Sequence, residues 1–244
     1  MSRLNLDSAE NLAVRMRQDL QISLSEPVNA KTVLRVLGII TLYRPLSDSL
    51  YGLSVKSSDN RYRFMLVNSN TTRGRQHFTI AHELYHLYYD ADPHPHFCQD
   101  GNLDESERAA NMFARAFLMP KAGILKSIPA AELLSGNMSL TTILKPEALY
   151  GVSHMAMLIR LKELRLITNA VFDQYQSISV TKEAALRGLD TNLYKSGNEG
   201  MVLGDFGAKA RELFEMDLVS EGHYVELLNK IGYGSGEGED CAGC

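Results

Sequence analysis

The hydrophobic pattern changes from helical to β-type within the N-terminal part of the chain. Leu12, Met16 and Leu20 recur at four-residue spacing, which predicts a helix over residues 7–22 that Asp7 or Ser8 caps. A second short helix is expected over residues 31–37. Runs rich in β-branched and aromatic residues follow, separated by Pro, Ser, Asp and Asn, and they predict strands at 39–43, 50–55 and 62–68. We expect these strands to form a small, mostly antiparallel sheet.

Helical periodicity returns at Arg75 and dominates the rest of the sequence. It predicts helices over residues 76–89, 104–118, 121–128, 140–150, 153–166, 208–215 and 220–230. Residues 188–207 are rich in Gly and Asn and indicate a linker. The pattern therefore predicts an α+β fold with three parts: a domain over residues 1–167, a mostly helical region over 168–231, and a disordered tail over 232–244.

Composition narrows the classes of function. The formal net charge of -4 argues against a nucleic-acid-binding role for the whole chain, because such proteins usually carry a basic excess. No signal peptide is evident at the N-terminus, and the apolar stretch over residues 36–43 is too short to span a membrane. Three cysteines, at positions 98, 241 and 244, do not make a disulfide framework. We therefore expect a cytoplasmic protein without a membrane partner.

The strongest chemical signal is the segment His82-Glu83-Leu84-Tyr85-His86. Residues four apart share one face of a helix, so both imidazoles can bind one metal ion. Glu83 is rotated by roughly 100° from His82 and can reach a water on the metal without being a ligand itself. The segment predicts a zinc site with Glu83 as general base.

A catalytic zinc needs a third protein ligand and an open fourth position. Glu107 is the preferred candidate, because it lies on the next predicted helix, where small alanines allow close packing. His94 and His96 lie in the proline-broken segment Asp-Pro-His-Pro-His and are expected to be surface loop residues. Cys98, between the two helices, is a further candidate that could block the open position as a thiolate. The terminal Cys241 and Cys244 lack a second pair of ligands.

These motifs together resemble the ImmA/IrrE family of metallo-endopeptidases. The resemblance rests on HELYHL over residues 82–87, ERAANMFA over 107–114 and FLMP over 117–120, and it covers roughly residues 30–167. It implies a zincin-like fold, with Zn²⁺ bound by His82, His86 and Glu107 and with Glu83 as the base. It also implies cleavage of a helix-turn-helix repressor, which derepresses genes of a mobile element or stress response. Tyr85 stands where family members often have glycine, and its bulky ring could narrow the cleft.

Several supporting roles follow from this reading. Asn111 and Asp90 are placed to accept hydrogen bonds from the ligand imidazoles. His77, Tyr85, Tyr88 and Tyr89 are candidates for stabilising the oxyanion. The strand predicted over residues 62–68 precedes the metal-bearing helix, and we expect it to be the edge strand that binds an extended peptide.

An alternative function is a DNA-binding regulator or antitoxin-like module. The helix pair predicted near residues 140–166 resembles a helix-turn-helix, with Ser153 capping its second helix. Its reading positions, His154, Met155 and Met157, are poor partners for base edges. Arg160, Lys162 and Arg165 could contact phosphate or could equally form a solvated face. Direct DNA binding is therefore possible but not favoured.

Overall fold

The computed structural model describes residues 6–90, 95–99 and 104–231. The predicted tail over residues 232–244, with Cys241 and Cys244, lies outside these residues, as does His94. The helices within them are α1 (Leu6–Asp19), α2 (Ala30–Val36), α3 (Arg73–Tyr89), α4 (Glu105–Leu118), α5 (Lys121–Ser127), α6 (Ala130–Ser135), α7 (Leu140–Tyr150), α8 (His154–Glu163), α9 (Asn169–Tyr175), α10 (Val180–Leu186), α11 (Phe206–Glu215) and α12 (Glu221–Lys230). The strands are β1 (Ile40–Arg44), β2 (Leu50–Lys56), β3 (Arg63–Asn68), β4 (His96–Gln99) and β5 (Val202–Leu203).

These strands form one mixed sheet in the order β4-β2-β3-β1-β5. Strand β2 pairs antiparallel with β3 and β4, and β1 pairs antiparallel with β5. The β1–β3 pairing alone is parallel among those described. The expected α+β fold with a mostly antiparallel sheet is confirmed. In the described residues, β4 and β5 form the edges of this sheet.

The expectation that residues 62–68 form the edge strand is wrong. Strand β3 lies in the centre of the sheet, with β2 on one side and β1 on the other. Met65 and Val67 are fully buried beneath the helical layer. Both backbone edges of β3 are therefore already paired, and an extended peptide cannot add to it. The alternation of apolar residues is the same for a central and an edge strand, so the pattern could not distinguish them.

Helix α3 packs closely against strand β2 of the sheet. A Cβ atom on Gly52 of β2 would come within 2.6 Å of Thr79 Cγ2 of α3 and within 3.0 Å of the Leu66 carbonyl oxygen. Only glycine permits this approach. Helix α4 packs on the other side of α3, and their interface is filled by fully buried residues such as Phe113 and Leu84. This arrangement holds α3 between the sheet and α4.

The C-terminal region contributes to the same sheet. Strand β5 pairs with β1, within the stretch 188–207 that was expected to be a linker. Gln76 on α3 donates to the Gly197 carbonyl and accepts a hydrogen bond from the Asn198 side chain. The linker interpretation is therefore wrong, because this segment packs against α3. The predicted terminal helix pair is present as α11 and α12, with Phe214 stacked on Tyr224.

None of the helices described is both long enough and apolar enough to cross a membrane.

Candidate metal centre

Helix α3 carries the first two candidate ligands. It begins after Thr72, whose side-chain oxygen accepts a hydrogen bond from the Arg75 N–H and caps the helix. His82 and His86 lie one turn apart and are almost fully buried, with exposed fractions of 1% and 4%. Their Nε2 atoms are 3.2 Å apart. The four-residue spacing therefore directs two ring nitrogens to the same point, as the sequence predicts.

Helix α4 brings a carboxylate to this point. The Asp104 side chain accepts a hydrogen bond from the Glu107 N–H, which caps α4 and places Glu107 in its first turn. Glu107 Oε2 lies 3.3 Å from His82 Nε2, and Oε1 lies 3.5 Å from His86 Nε2. Ala110, one turn further along, is fully buried between the helices. Its small side chain permits the close approach of α4 to α3.

The donor separations fit a single metal ion. A tetrahedral zinc with ligand distances of about 2.0–2.1 Å has neighbouring donor atoms roughly 3.3–3.4 Å apart. The two Nε2 atoms are 3.2 Å apart, and the Glu107 carboxylate faces both, with Oε2 3.3 Å from His82 Nε2 and Oε1 3.5 Å from His86 Nε2. Two imidazoles and a carboxylate are also a donor set that a divalent transition metal prefers. The residues present are therefore able to hold such an ion.

A fourth side chain, His96, enters the same cluster from β4. Its Nε2 donates a hydrogen bond to Glu107, and its ring stacks on that of His86 with centroids 3.5 Å apart. The ligand atoms of His82, His86, His96 and Glu107 all lie within 4.8 Å of one another. The expectation that His96 is a surface loop residue is wrong. Proline-flanked histidines suggest a loop, but here the segment 96–99 pairs with β2 as a strand.

Each imidazole in the cluster has an acceptor for its second nitrogen. His82 Nδ1 donates to Asn111 Oδ1 at 3.3 Å, and His86 Nδ1 donates to Asp90 Oδ2 at 2.8 Å. The predicted placement of Asn111 and Asp90 is confirmed. Ser106 also donates to Asp90, at 2.9 Å. Such acceptors fix the tautomer and orientation of a ligand imidazole, leaving Nε2 free to face the metal.

Glu83 is fully buried beside the cluster. Its Oε2 accepts a hydrogen bond from the Ser54 hydroxyl of β2 and lies 3.1 Å from His96 Nδ1. It does not belong to the group formed by the three imidazoles and Glu107. Because Glu83 follows His82 directly on α3, its side chain points in a different direction from that of His82, toward the sheet. Its carboxylate therefore lies beside the candidate ligands but is not one of them.

A comparison with known families agrees with this geometry. The family model of the IrrE N-terminal-like domain matches residues 34–162, more than half of the chain. The chain belongs to the ImmA/IrrE family. Family membership supports a metallopeptidase type of function and a protein substrate, and the His-rich cluster is consistent with a bound metal. A search of the curated proteins finds no match to this chain.

The ionisable groups of this ImmA/IrrE centre stabilise one another's charges. Burial alone lowers the pKa of His82, but hydrogen bonds with Cys98 and Glu107 raise it to about 10. Burial likewise opposes protonation of His96, while Glu107 and Glu83 raise its pKa to about 9. Burial raises the pKa of Glu107, but His82 and His96 outweigh it and hold the value well below its usual range. A metal binding here has to displace protons.

Cys98 lies on the same strand as His96 and is buried. Its sulfur, a His82 ring nitrogen and a Glu83 oxygen lie within 4.8 Å of one another. The thiol therefore adjoins the base and one ligand, although it is absent from the group formed by the three imidazoles and Glu107. Coordination by Cys98 remains the alternative that the sequence raised.

Tyr85 is packed in the core and does not narrow the cleft, which was the possibility raised by its sequence position. It is 5% exposed, and its ring packs against Phe113 and Tyr89, at centroid distances of 5.8 Å. It lies on the face of α3 that contacts α4, so the extra ring is accommodated in the core. The ring therefore does not enter the cleft.

The other oxyanion candidates have partners elsewhere. His77 Nδ1 donates to the Gly151 carbonyl, and the Tyr89 hydroxyl donates to a backbone carbonyl of α1. The Arg63 guanidinium lies 4.4 Å from the centre of the Tyr88 ring. The sequence thus suggested side chains on α3 for stabilising the oxyanion, whereas the additional imidazole beside the cluster, that of His96, comes from β4.

An open cavity of about 290 Å³ adjoins the cluster. It lies between β2, β4 and the first turn of α4, and it is lined by Ser54, Lys56, Asp90, Ser106 and others. His86, His96 and Glu107 also line it. The cavity therefore gives solvent access to one side of the cluster.

The helix-turn-helix-like pair α7 and α8 is part of the core. Ser153 caps α8 as predicted, by accepting a hydrogen bond from Ala156 N–H. His154 and Met157, two of the supposed reading positions, are buried. Arg160 is fully buried and donates to a backbone carbonyl at the end of α4, so its suggested contact with phosphate is wrong. These side chains cannot reach the edges of bases.

Proposed function

We propose that this ImmA/IrrE protein is a zinc-dependent endopeptidase that binds zinc through His82, His86 and Glu107. The observation that carries the proposal is the convergence of these three donors at separations suited to one ion. Two histidines and a glutamate are a ligand set known from catalytic zinc sites of peptidases. The choice of zinc rests on this donor set.

Glu83 is the proposed general base. A zinc ion held here would supply a Lewis acid that activates water and polarises a peptide carbonyl. The Glu83 carboxylate accepts the proton of the attacking water and delivers it to the leaving amine. Its burial and the hydrogen bond from Ser54 support this role, because they hold the carboxylate beside the metal ligands. Asn111 and Asp90 orient the ligand imidazoles during the reaction.

The proposed substrate is a helix-turn-helix transcriptional repressor in the cytoplasm, whose cleavage derepresses mobile-element or stress-response genes. Support comes from the resemblance to metallo-endopeptidases that act on such repressors. Direct binding of DNA by this chain gains no support, because His154 and Met157 on α8 are buried and the exposed Met155 offers no polar group to a base edge.

The proposal can be tested with two variants and two measurements. Glu107→Ala should lose most of the zinc found in the wild type, because it removes one of three ligands. Glu83→Gln should keep its zinc and lose cleavage by about 10²- to 10⁴-fold, because the amide retains the shape but accepts no proton. Zinc content is measured by elemental analysis. Cleavage is followed by mass spectrometry with a helix-turn-helix repressor as substrate, taken from the neighbouring gene where that gene encodes one.

Full zinc occupancy in Glu107→Ala would remove Glu107 from the ligand set. Near-normal turnover by Glu83→Gln would exclude Glu83 as the base. Failure to cleave helix-turn-helix repressors, together with cleavage of another protein, would overturn the proposed substrate but not the proposed activity.

A further inference from the structure

His96 lies where a substrate would have to be. Its Nε2 contacts the ligand Glu107, while its Nδ1 lies 3.1 Å from Oε2 of the base Glu83. The ring is stacked on His86 and fills the space between base and ligands. The attacking water and the scissile carbonyl need this space between Glu83 and the metal.

The hydrogen bonds of His96 are those of a metal ligand. His82, His86 and His96 all turn Nε2 toward the cluster and Nδ1 toward an oxygen acceptor. A ligating histidine almost always donates its other ring N–H in this way. His96 uses the Glu83 carboxylate as its acceptor and thereby also engages the base.

The strand that carries His96 occupies the position of an extended peptide. Strand β4 pairs antiparallel with β2, with His96 opposite Ser54 and Phe97 opposite Leu53. A substrate bound by strand addition would use this same edge of β2. The side chain of Ser54 in turn holds Glu83. Strand β4 therefore lies along the catalytic residues as a substrate segment would.

We propose that His96 is a fourth protein ligand of the metal and that β4 occupies the edge of β2 where a substrate strand would bind. This inference rests on the proposed zinc site. Four protein ligands complete a tetrahedral zinc site and leave no open position, which is typical of structural rather than catalytic zinc. The protein is inactive in this arrangement, and a repressor gains access when β4 leaves the edge of β2.

The backbone pairing of β4 is limited, although His96 and Cys98 connect the strand to the cluster. It has four residues, lies at the edge of the sheet and pairs with β2 alone among the described strands. Its register shifts between Leu50 and Gly52, which interrupts the ladder of hydrogen bonds. Phe97, whose side chain points away from the cluster, is 52% exposed. A peptide that pairs well with β2 can therefore compete with β4.

The first test compares zinc affinity in the wild type, His96→Ala and the control Phe97→Ala, by competition with a chromophoric chelator. His96→Ala should bind zinc about tenfold or more weakly, because it loses a ligand. Phe97→Ala should match the wild type, because it changes the same strand on the other face. His96→Gln has a side chain of similar reach and should also bind zinc more weakly, which guards against a folding defect in the alanine variant.

The second test asks whether the metal has an open position. The absorption spectrum of the Co²⁺-loaded wild type should not change on addition of azide, whereas that of His96→Ala should change. His96→Ala should also cleave a peptide substrate severalfold faster at saturating zinc, because the obstruction is removed. An azide-sensitive wild type, or equal zinc affinity in wild type and His96→Ala, would overturn the inference.

Loss of cleavage by His96→Ala with unchanged zinc affinity would also overturn it and make His96 a catalytic residue. The results that overturn this inference would not contradict a zinc site formed by His82, His86 and Glu107. A wild type that binds no zinc, or a Glu107→Ala variant that binds it normally, would instead refute the proposed function together with this inference.

Discussion

At the scale of single residues, the candidate centre is defined by the direction of its ring nitrogens. His82 and His86 face one point because they are one helical turn apart, and their second nitrogens are held by Asn111 and Asp90. An imidazole without such an acceptor can rotate or change tautomer, which weakens its bond to a metal. The affinity for metal therefore depends on the residues that orient the ligands as well as on the ligands.

Asn111→Ala should lower zinc affinity by about 10- to 100-fold without removing a ligand, because His82 loses its orienting acceptor. Asn137→Ala, at an exposed position outside the cluster, is the matched control and should leave the affinity unchanged. Chelator competition on the folded variants provides the measurement. Wild-type affinity in Asn111→Ala would show that the 3.3 Å contact does not orient His82.

At the scale of elements, the site depends on the close packing of α3 between β2 and α4. Strand β2 supplies Ser54 to Glu83, and it approaches α3 closely only because residue 52 is glycine. Helix α4 supplies Glu107 from a turn that Asp104 caps. The relative positions of three elements, rather than any one of them, therefore determine the geometry of the centre.

Gly52→Ala should separate β2 from α3. The added Cβ would lie 2.6 Å from Thr79 Cγ2 and 3.0 Å from the Leu66 carbonyl, so either the strand or the helix has to move. We expect a loss of about 1–3 kcal/mol in the free energy of unfolding, as in other overpacked interiors, measured by urea denaturation. Gly222→Ala on α12, where a Cβ meets no atom within 4 Å, is the control. An unchanged free energy of unfolding in Gly52→Ala would show that β2 and α3 can move apart without loss of stability.

At the scale of the whole molecule, a buried polar network joins the helical core to the C-terminal region. His154 on α8 donates to Glu147 on α7 at 2.8 Å and to the Tyr175 carbonyl at 3.0 Å. Glu147 also accepts a hydrogen bond from the Tyr194 hydroxyl at 2.7 Å. This network links α7, α8 and α9 with the segment that leads to β5. The C-terminal residues are therefore connected to the helices that pack behind the metal centre.

The His154–Glu147 pair should make part of the stability dependent on pH. Burial lowers the pKa of His154, but the bond with Glu147 outweighs burial and raises it above the ordinary value of 6.5. Because the folded-state pKa is raised, the stabilisation is complete below about pH 6.5 and is lost as pH rises through the folded-state value. His154→Gln should therefore destabilise the protein more at low pH than at high pH, by chemical denaturation of metal-loaded samples. An equal effect at both pH values would contradict this assignment.

The sequence by itself determined the features that depend on local spacing. The period of apolar residues was enough to locate α3, α4 and the first three strands, and the four-residue spacing placed His82 and His86 on one face. The position of Glu107 on the following helix also came from local pattern and from resemblance to a family. Asn111 and Asp90 were found because each lies one helical turn from a candidate ligand.

Only the tertiary structure decided which segments meet at the sheet. It placed β3 in the centre, added β5 from residues far along the chain, and brought His96 into the metal centre on β4. Strand pairing joins residues that are distant in sequence, and a four-residue strand between prolines and a helix has no periodicity to reveal it. The burial of Tyr85, His154 and Arg160 likewise depends on packing between elements, which the order of residues does not encode locally.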